Sequence, residues 1–237
     1  MKEKISFIIP VYNEESNIEN LYSEIKAVAQ KLDHPYETIF VDDFSSDNSL
    51  SVIKKLSKNN SDVRYVSFAK NCGQSAALYA GFQHATGEII ITMDGDLQND
   101  PGDIPNMIKM FGEYDMITGW RKNRRDTLSK KIASKIGNFI RNSITKDNIH
   151  DTGCSLKIMR ASMVKKIKMY RGLHRFLPLL MKLEGAKIVE IPVNHRERLH
   201  GVSKYNNLSR AIEGLYDLVA VRWMMKRHLD IPIKEKK

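Results

Sequence analysis

Apolar residues along the first 120 positions recur with two alternating periods. Short runs rich in isoleucine and valine, over 5–10, 37–41, 64–67, 88–93 and 115–118, predict strands. Between them, over about 17–32, 49–57, 74–84 and 104–111, apolar positions fall three or four apart and predict helices. This alternation predicts an α/β fold on a mostly parallel, doubly wound sheet. Ligands of such sheets bind outside the C-terminal strand ends, so the loops after each strand are where chemistry is expected.

Beyond residue 120 the pattern changes. Leu128, Ile132, Ile136, Phe139, Ile140 and Ile144 are spaced for one helix face, with Lys130, Lys131, Lys135 and Arg141 filling much of the rest. A second stripe, Leu208, Ile212, Leu215, Tyr216, Val219 and Trp223, ends in Lys226-Arg227-His228. Each stripe fits packing on a sheet. The flanking charge and Trp223 also fit helices lying in a membrane interface. The longest apolar runs fall far short of the ~20 residues that span a bilayer. Residues 1–205 are expected to form one domain, with a donor half to about 120 and an acceptor half after it, and 206–237 a basic amphipathic helix and tail.

Charge sharpens this division. Residues 1–120 carry 10 Lys/Arg against 18 Asp/Glu, and residues 121–237 carry 28 against 10, giving the overall +10. The basic half predicts an anionic partner: a membrane, a nucleic acid or phosphate groups. Its basic clusters lie beside aliphatic stripes without interleaved aromatics, which argues against a single-strand nucleic-acid platform. Two cysteines, Cys72 and Cys154, make no disulfide framework and predict a reducing compartment. Met1 leads almost directly into the first strand, so no secretory leader is expected.

The strand ends carry the candidate chemistry. The run 88–93 leads into Asp94-Gly95-Asp96-Leu97-Gln98, two carboxylates one residue apart. Glycine between them lets the backbone approach closely, and both carboxylates can face one hard cation such as Mg²⁺ or Mn²⁺. The same residues also fit an ordinary polar turn. The first strand ends in Pro10-Val11-Tyr12-Asn13-Glu14, a set suited to a base or ribose. The second ends in Val41-Asp42-Asp43-Phe44-Ser45-Ser46-Asp47, where Ser46 or Asp47 suits a helix cap. A cap does not require both Asp42 and Asp43, and a carboxylate there can accept from a ribose hydroxyl.

These segments, with Asp100-Pro101, Gly119-Trp120-Arg121, Asp151-Thr152-Gly153-Cys154 and Arg198-Leu199-His200-Gly201-Val202-Ser203-Lys204-Tyr205, resemble glycosyltransferase family 2 in order along nearly the whole chain. The Leu97-Gln98 tail resembles its polyprenyl-phosphate branch, typified by dolichol-phosphate mannose synthase. The resemblance implies a Rossmann-like GT-A nucleotide-sugar fold and sugar transfer with inversion. It implies that Pro10, Tyr12, Glu14, Val41, Asp43, Asp94, Gly95 and Asp96 bind the donor, GDP-mannose or UDP-glucose. Asp94, Asp96 and Gln98 would surround the metal, and Arg121, Arg198, Ser203 and Lys204 would contact phosphate groups. Phe44 departs from the family, which usually has glycine there. Many relatives continue into two membrane helices, which the sequence to Lys237 lacks; a separate small membrane subunit is then the expected anchor.

The acceptor decides whether a base is needed. A sugar hydroxyl needs one, and Asp151 is the candidate; a lipid phosphate is already ionised. With a phosphate acceptor, Asp151 reads as a loop organiser or sugar contact, and positive charge positions the anion. Seven basic residues between 121 and 135, against Asp126 alone, favour that version. The expectation is a peripheral transferase at the cytosolic membrane face, moving a hexose to polyprenyl phosphate. A family 2 enzyme acting on a glycan hydroxyl with Asp151 as base is the enzymatic alternative.

Overall fold

A computed structural model describes residues 2–122, 141–146, 149–197 and 207–229. Its centre is a seven-stranded sheet of order β3-β2-β1-β4-β6-β5-β7. The strands are β1 (Ile5–Val11), β2 (Tyr36–Asp42), β3 (Val63–Ser67), β4 (Ile89–Thr92), β5 (Met116–Trp120), β6 (Lys157–Arg160) and β7 (Ile188–Pro192). β6 runs antiparallel to both β4 and β5, while the other pairings are parallel. The sheet is therefore mostly parallel, as the alternation predicts.

Helices α1 (Ile18–Leu32), α2 (Ser49–Asn59), α3 (Gln74–His84) and α4 (Ile104–Ile108) connect the first five strands. β1 is buried on both faces, which explains why it reads as a continuous apolar run rather than an alternating one. Ile5, Phe7, Ile9 and Val11 share a core with Leu21 and Ile25 of α1. On the other face Ile8 meets α3 so closely that a Cβ at Gly81 would lie 2.2 Å from Ile8 Cγ2. Burying each such isoleucine contributes about 1.5–3 kcal/mol. α4 stops at Ile108, short of the expected 111, because the chain turns and Phe111 bridges Tyr114.

Register positions the loops. Val11 pairs with Asp42, so the segments after β1 and β2 leave the sheet side by side. Lys157 stands opposite Thr92 on one side and Thr118 on the other. Because β6 is antiparallel, the segment preceding it arrives at the edge where β4 and β5 end. Two further strands, β6 and β7, thus extend the five that the sequence predicts.

The chain divides into two units, Met1–Asp126 with Ile149–Lys204, and Thr127–Asn148 with Tyr205–Lys237. Within the second, residues 141–145 are helical, and Thr145 Oγ1 donates to Arg141 O at 2.9 Å. The rest of the basic stripe over 128–144 lies outside the described residues, as do Arg198, Ser203 and Lys204. Helix Asn207–Arg227 buries Leu218 and Val221 and exposes Leu215, Tyr216, Val219 and Trp223. No helix among the described residues is long and apolar enough to cross a membrane.

Candidate active site

The end of β4 meets the end of β1. A Cβ on Gly95 would sit 3.2 Å from Pro10 O and 3.7 Å from Glu14 Cγ, so glycine permits this approach. The turn is held from several sides. Asp94 N donates to Asn99 Oδ1 at 3.1 Å, Gln98 N donates to Asp96 Oδ1 at 3.2 Å, and Leu97 takes a positive φ of 63°. Ser155 Oγ, from the segment before β6, donates to the same Asn99 oxygen at 2.7 Å.

Gln74 Nε2, at the start of α3, donates to Asp94 Oδ1 at 2.7 Å. Burial raises the Asp94 pKa, and the neighbouring Asp96 raises it further, against smaller opposing effects of Ser155, Arg121 and Lys157. A half-buried Asp94 whose charge is disfavoured by burial and by the buried Asp96 two residues on is part of a donor set suited to a hard divalent cation. The side chains of Asp94 and Asp96 thus fit a metal. Among the described residues no group of three His, Cys, Asp or Glu side chains gathers for a metal. The amide of Gln98 lies near Arg196 O at 3.5 Å, and Arg196 N donates to Gln98 O at 2.9 Å. The segment leading to 197 therefore runs beside the carboxylate turn.

The end of β5 supplies Arg121. Its Nε donates to Asp151 Oδ2 at 2.7 Å and its Nη2 to Asp151 Oδ1 at 2.9 Å. Both side chains are largely buried, at 14% and 11% exposure. Burial opposes charge on each, but the pair outweighs it: the Arg121 pKa rises and the Asp151 pKa falls. Asp151 N in turn donates to Glu190 Oε1 on β7 at 3.0 Å. A carboxylate with both oxygens engaged and a lowered pKa is a poor general base. The geometry suits the loop-organising reading.

Beneath this pair lies Lys157, 3% exposed, which sequence reasoning missed. Its Nζ donates to the carbonyls of Cys154 and Thr152, tying the Asp151 loop to β6. Burial lowers its pKa, against the opposing effects of Cys154, Asp151 and Asp94. Gly119 lets β5 approach this loop, since a Cβ there would lie 2.8 Å from Cys154 Sγ. Trp120 stacks on His150 at 4.6 Å between ring centroids, and His150 Nδ1 lies 2.8 Å from Glu190 Oε2.

On the donor side, the loops after β1 and β2 are cross-linked. Asn13 N donates to Ser45 Oγ at 3.0 Å and Ser46 N to Asn13 Oδ1 at 2.7 Å. Glu14 N donates to Ser49 Oγ at 2.8 Å, while Glu14 Oε2 accepts from Asn17 at 2.7 Å. The N-cap of α2 is Asn48, without a side-chain cap bond, rather than the expected Ser46 or Asp47; Asp47 accepts from Ser49 N at 2.9 Å in the turn before it. Asp43 is 5% exposed, and its carboxylate accepts from Cys72 N at 2.6 Å and Gly73 N at 2.8 Å. Burial raises its pKa despite these bonds. Val41 is fully buried, Pro10 half-buried, and Tyr12 38% exposed. Pro10, Tyr12, Glu14, Val41, Asp43, Asp94, Gly95, Asp96, Gln98, Arg121 and Asp151 thus all belong to the strand-end segments at one sheet edge.

A family model described as Glycosyl transferase family 2 matches residues 6–168. A dodecaprenyl-phosphate galacturonate synthase of Rhizobium johnstonii is 41% identical over 229 residues, covering 94% of this chain and 68% of that protein. Among solved structures, a mannosyltransferase of Pyrobaculum calidifontis in complex with GDP-Man and Mn²⁺ superposes with a TM-score of 0.67 at 19% identity, over 98% of this chain and 66% of that one. Glucosyl-3-phosphoglycerate synthase of Mycobacterium tuberculosis, with Mn²⁺, UDP and phosphoglyceric acid, gives 0.70 at 16% identity, over 98% and 80%. These two structures share the fold. The chain spans about two thirds of the length of the first two relatives.

Proposed function

The chain belongs to glycosyltransferase family 2, and we propose that it moves a hexose or hexuronic acid from a nucleoside-diphosphate sugar to polyprenyl phosphate. The observation that carries this reading is the Arg121–Asp151 pair. It occupies the carboxylate that a hydroxyl acceptor would need as base, whereas a lipid phosphate arrives ionised. The synthase of Rhizobium johnstonii, named for a polyprenyl-phosphate product, supports the same acceptor. GDP-mannose and UDP-glucose remain donor candidates; that relative's name adds galacturonic acid as a candidate sugar, and we take its UDP-linked form as the third donor.

Asp94 and Asp96 would hold a divalent cation, Mg²⁺ or Mn²⁺, with Gln98 on the same turn. Bound there, the cation supplies Lewis-acid charge to the leaving diphosphate. An acceptor phosphate oxygen attacks the anomeric carbon as the bond to the diphosphate oxygen breaks, and the electron pair leaves with the diphosphate. Arg121 donates Nε and Nη2 to Asp151, and we assign its Nη1 to an anionic phosphate of donor or acceptor. The ion pair fixes that orientation before substrate arrives. Arg198, Ser203 and Lys204 follow a segment anchored beside Gln98, and we assign them to the phosphate groups of donor or acceptor.

The acceptor's tail stays in the bilayer, so the enzyme must work at its surface. Leu215, Tyr216, Val219 and Trp223, 53–80% exposed on one helix and followed by Lys226 and Arg227, suit an anionic membrane interface. We place the enzyme at the cytosolic face, with a small membrane subunit as a further candidate partner. Incubation with radiolabelled nucleotide sugars, polyprenyl phosphate, vesicles and Mn²⁺ should yield chloroform-extractable label. No such label with any of the three donors would overturn the reading.

A further inference from the structure

Among the described residues, the non-glycine residues with positive φ are Asn13, Asp33, Phe44, Leu97 and Lys146. Asn and Asp enter this region readily through local hydrogen bonds of a short polar side chain. Leu97 is 3% exposed, so core burial offsets its strain. Lys146 closes the helical turn of 141–145, its N donating to Asn142 O at 2.8 Å, where a left-handed residue commonly ends a helix. Phe44 has none of these reasons. Its φ is 64°, yet its ring is 54% exposed. A Cβ in this conformation crowds the following carbonyl oxygen, and Phe44 recovers little of that cost by burial. Glycine, the residue expected here from the family resemblance, would avoid it.

The backbone carrying this ring is fixed on both sides. Asp43 N donates to Val11 O at 2.8 Å, and the Asp43 carboxylate is bound to Cys72 N and Gly73 N. Ser45, next in sequence, accepts from Asn13 N. Phe44 is therefore an exposed aromatic on a rigid mount, at the strand-end edge where ligands bind. Tyr12, 38% exposed, leaves the neighbouring strand end beside it. Retained strain with an exposed ring points to a partner outside the chain. The flat, apolar element of a nucleoside diphosphate is its base.

We propose that Phe44 stacks on the nucleobase of the donor, an affinity contact that a glycine at this position cannot make. This rests on the nucleotide-sugar reading above. The contact accepts any base, because each has a π-face, and it adds affinity without selecting the sugar.

The test pairs affinity with stability. UDP and GDP are titrated calorimetrically with Mn²⁺ into the wild type and into Phe44→Gly, Phe44→Ala and Phe44→Tyr, and the ligand-free Tm of each is measured. The better-bound nucleotide should weaken about tenfold in the Gly and Ala variants and stay within about twofold in Tyr. Phe44→Gly should melt at the wild-type temperature or about 2 °C above it, as strain is relieved. Unchanged affinity in Gly and Ala, equal loss in Tyr, or affinity lost together with a lowered Tm would overturn the proposal. A wild type that binds neither nucleotide would instead sink the nucleotide-sugar reading, and this contact with it.

Discussion

Arg121 and Asp151 meet in a two-point ion pair, 2.7 and 2.9 Å, with both side chains largely buried. The pair joins the end of β5 to the loop before β6 and decides what Asp151 can do. Removing one partner leaves the other charge buried and uncompensated, at a cost of about 3–5 kcal/mol. Asp151→Asn should therefore lower the urea midpoint strongly as well as activity. A base-only role would instead give lost turnover with wild-type stability. The lowered Asp151 pKa puts its contribution to stability in place above the ordinary aspartate range, to be lost only as pH falls below it. The pH–rate profile should thus show no acidic limb from Asp151 near neutrality.

Asp94 is raised by burial and then by Asp96, so its ionised form weighs against the metal-free fold. A carboxylate with a raised folded pKa loses stability as pH rises through that range. Asp94→Asn should therefore melt at or above the wild-type temperature without metal. It should also lose the Mn²⁺-dependent rise in Tm and at least about 10²-fold in turnover. A variant that keeps both would refute the metal assignment.

At the opposite edge of the sheet, Glu37 accepts from Ser6, Arg64 and Thr86. Burial opposes its charge, yet these bonds pull its pKa from 4.5 down to about 2. Its stabilisation is complete above pH 4.5 and fades as pH falls toward 2. Chemical denaturation across that interval should show the loss, and Glu37→Gln should show a flatter pH dependence from a lower starting stability.

Trp223 and Tyr216, 65% and 80% exposed, contribute little to folding. Changing both to Ser should leave the Tm within about 2 °C, while co-sedimentation with anionic vesicles drops several-fold. Raising the salt should weaken the wild type's binding in the same assay. Undiminished vesicle binding in the double variant would remove this helix from the membrane account.

Much of this was legible because β1, β2 and β4 are rich in Ile, Phe and Val, and β2 and β4 lead into carboxylates at Asp42 and Asp94. A run covered on both faces needs no partner to be recognised. β6 is different: Lys157-Ile-Met-Arg160 holds two apolar residues between two cations, and only pairing with β4 and β5 makes it a strand. Lys157, Gln74 and Asn99 were missed for a related reason, since their roles arise from contacts with loops that the local pattern does not announce. Over 207–227 the period was legible but the buried side was not. Leu218 and Val221 face inward while Leu215, Val219 and Trp223 face solvent. Phe44 was legible as a departure from the family, and its positive φ explains why glycine is the usual residue there.

The most direct test offers the wild-type enzyme, with Mn²⁺ and each labelled donor, a polyprenyl phosphate and the matching dephosphorylated polyprenol in parallel. An enzyme that relies on an ionised acceptor and has its Asp151 locked to Arg121 should label the phosphate alone. Label on the free alcohol at a comparable rate would contradict the account, because that transfer needs the base that the ion pair withholds.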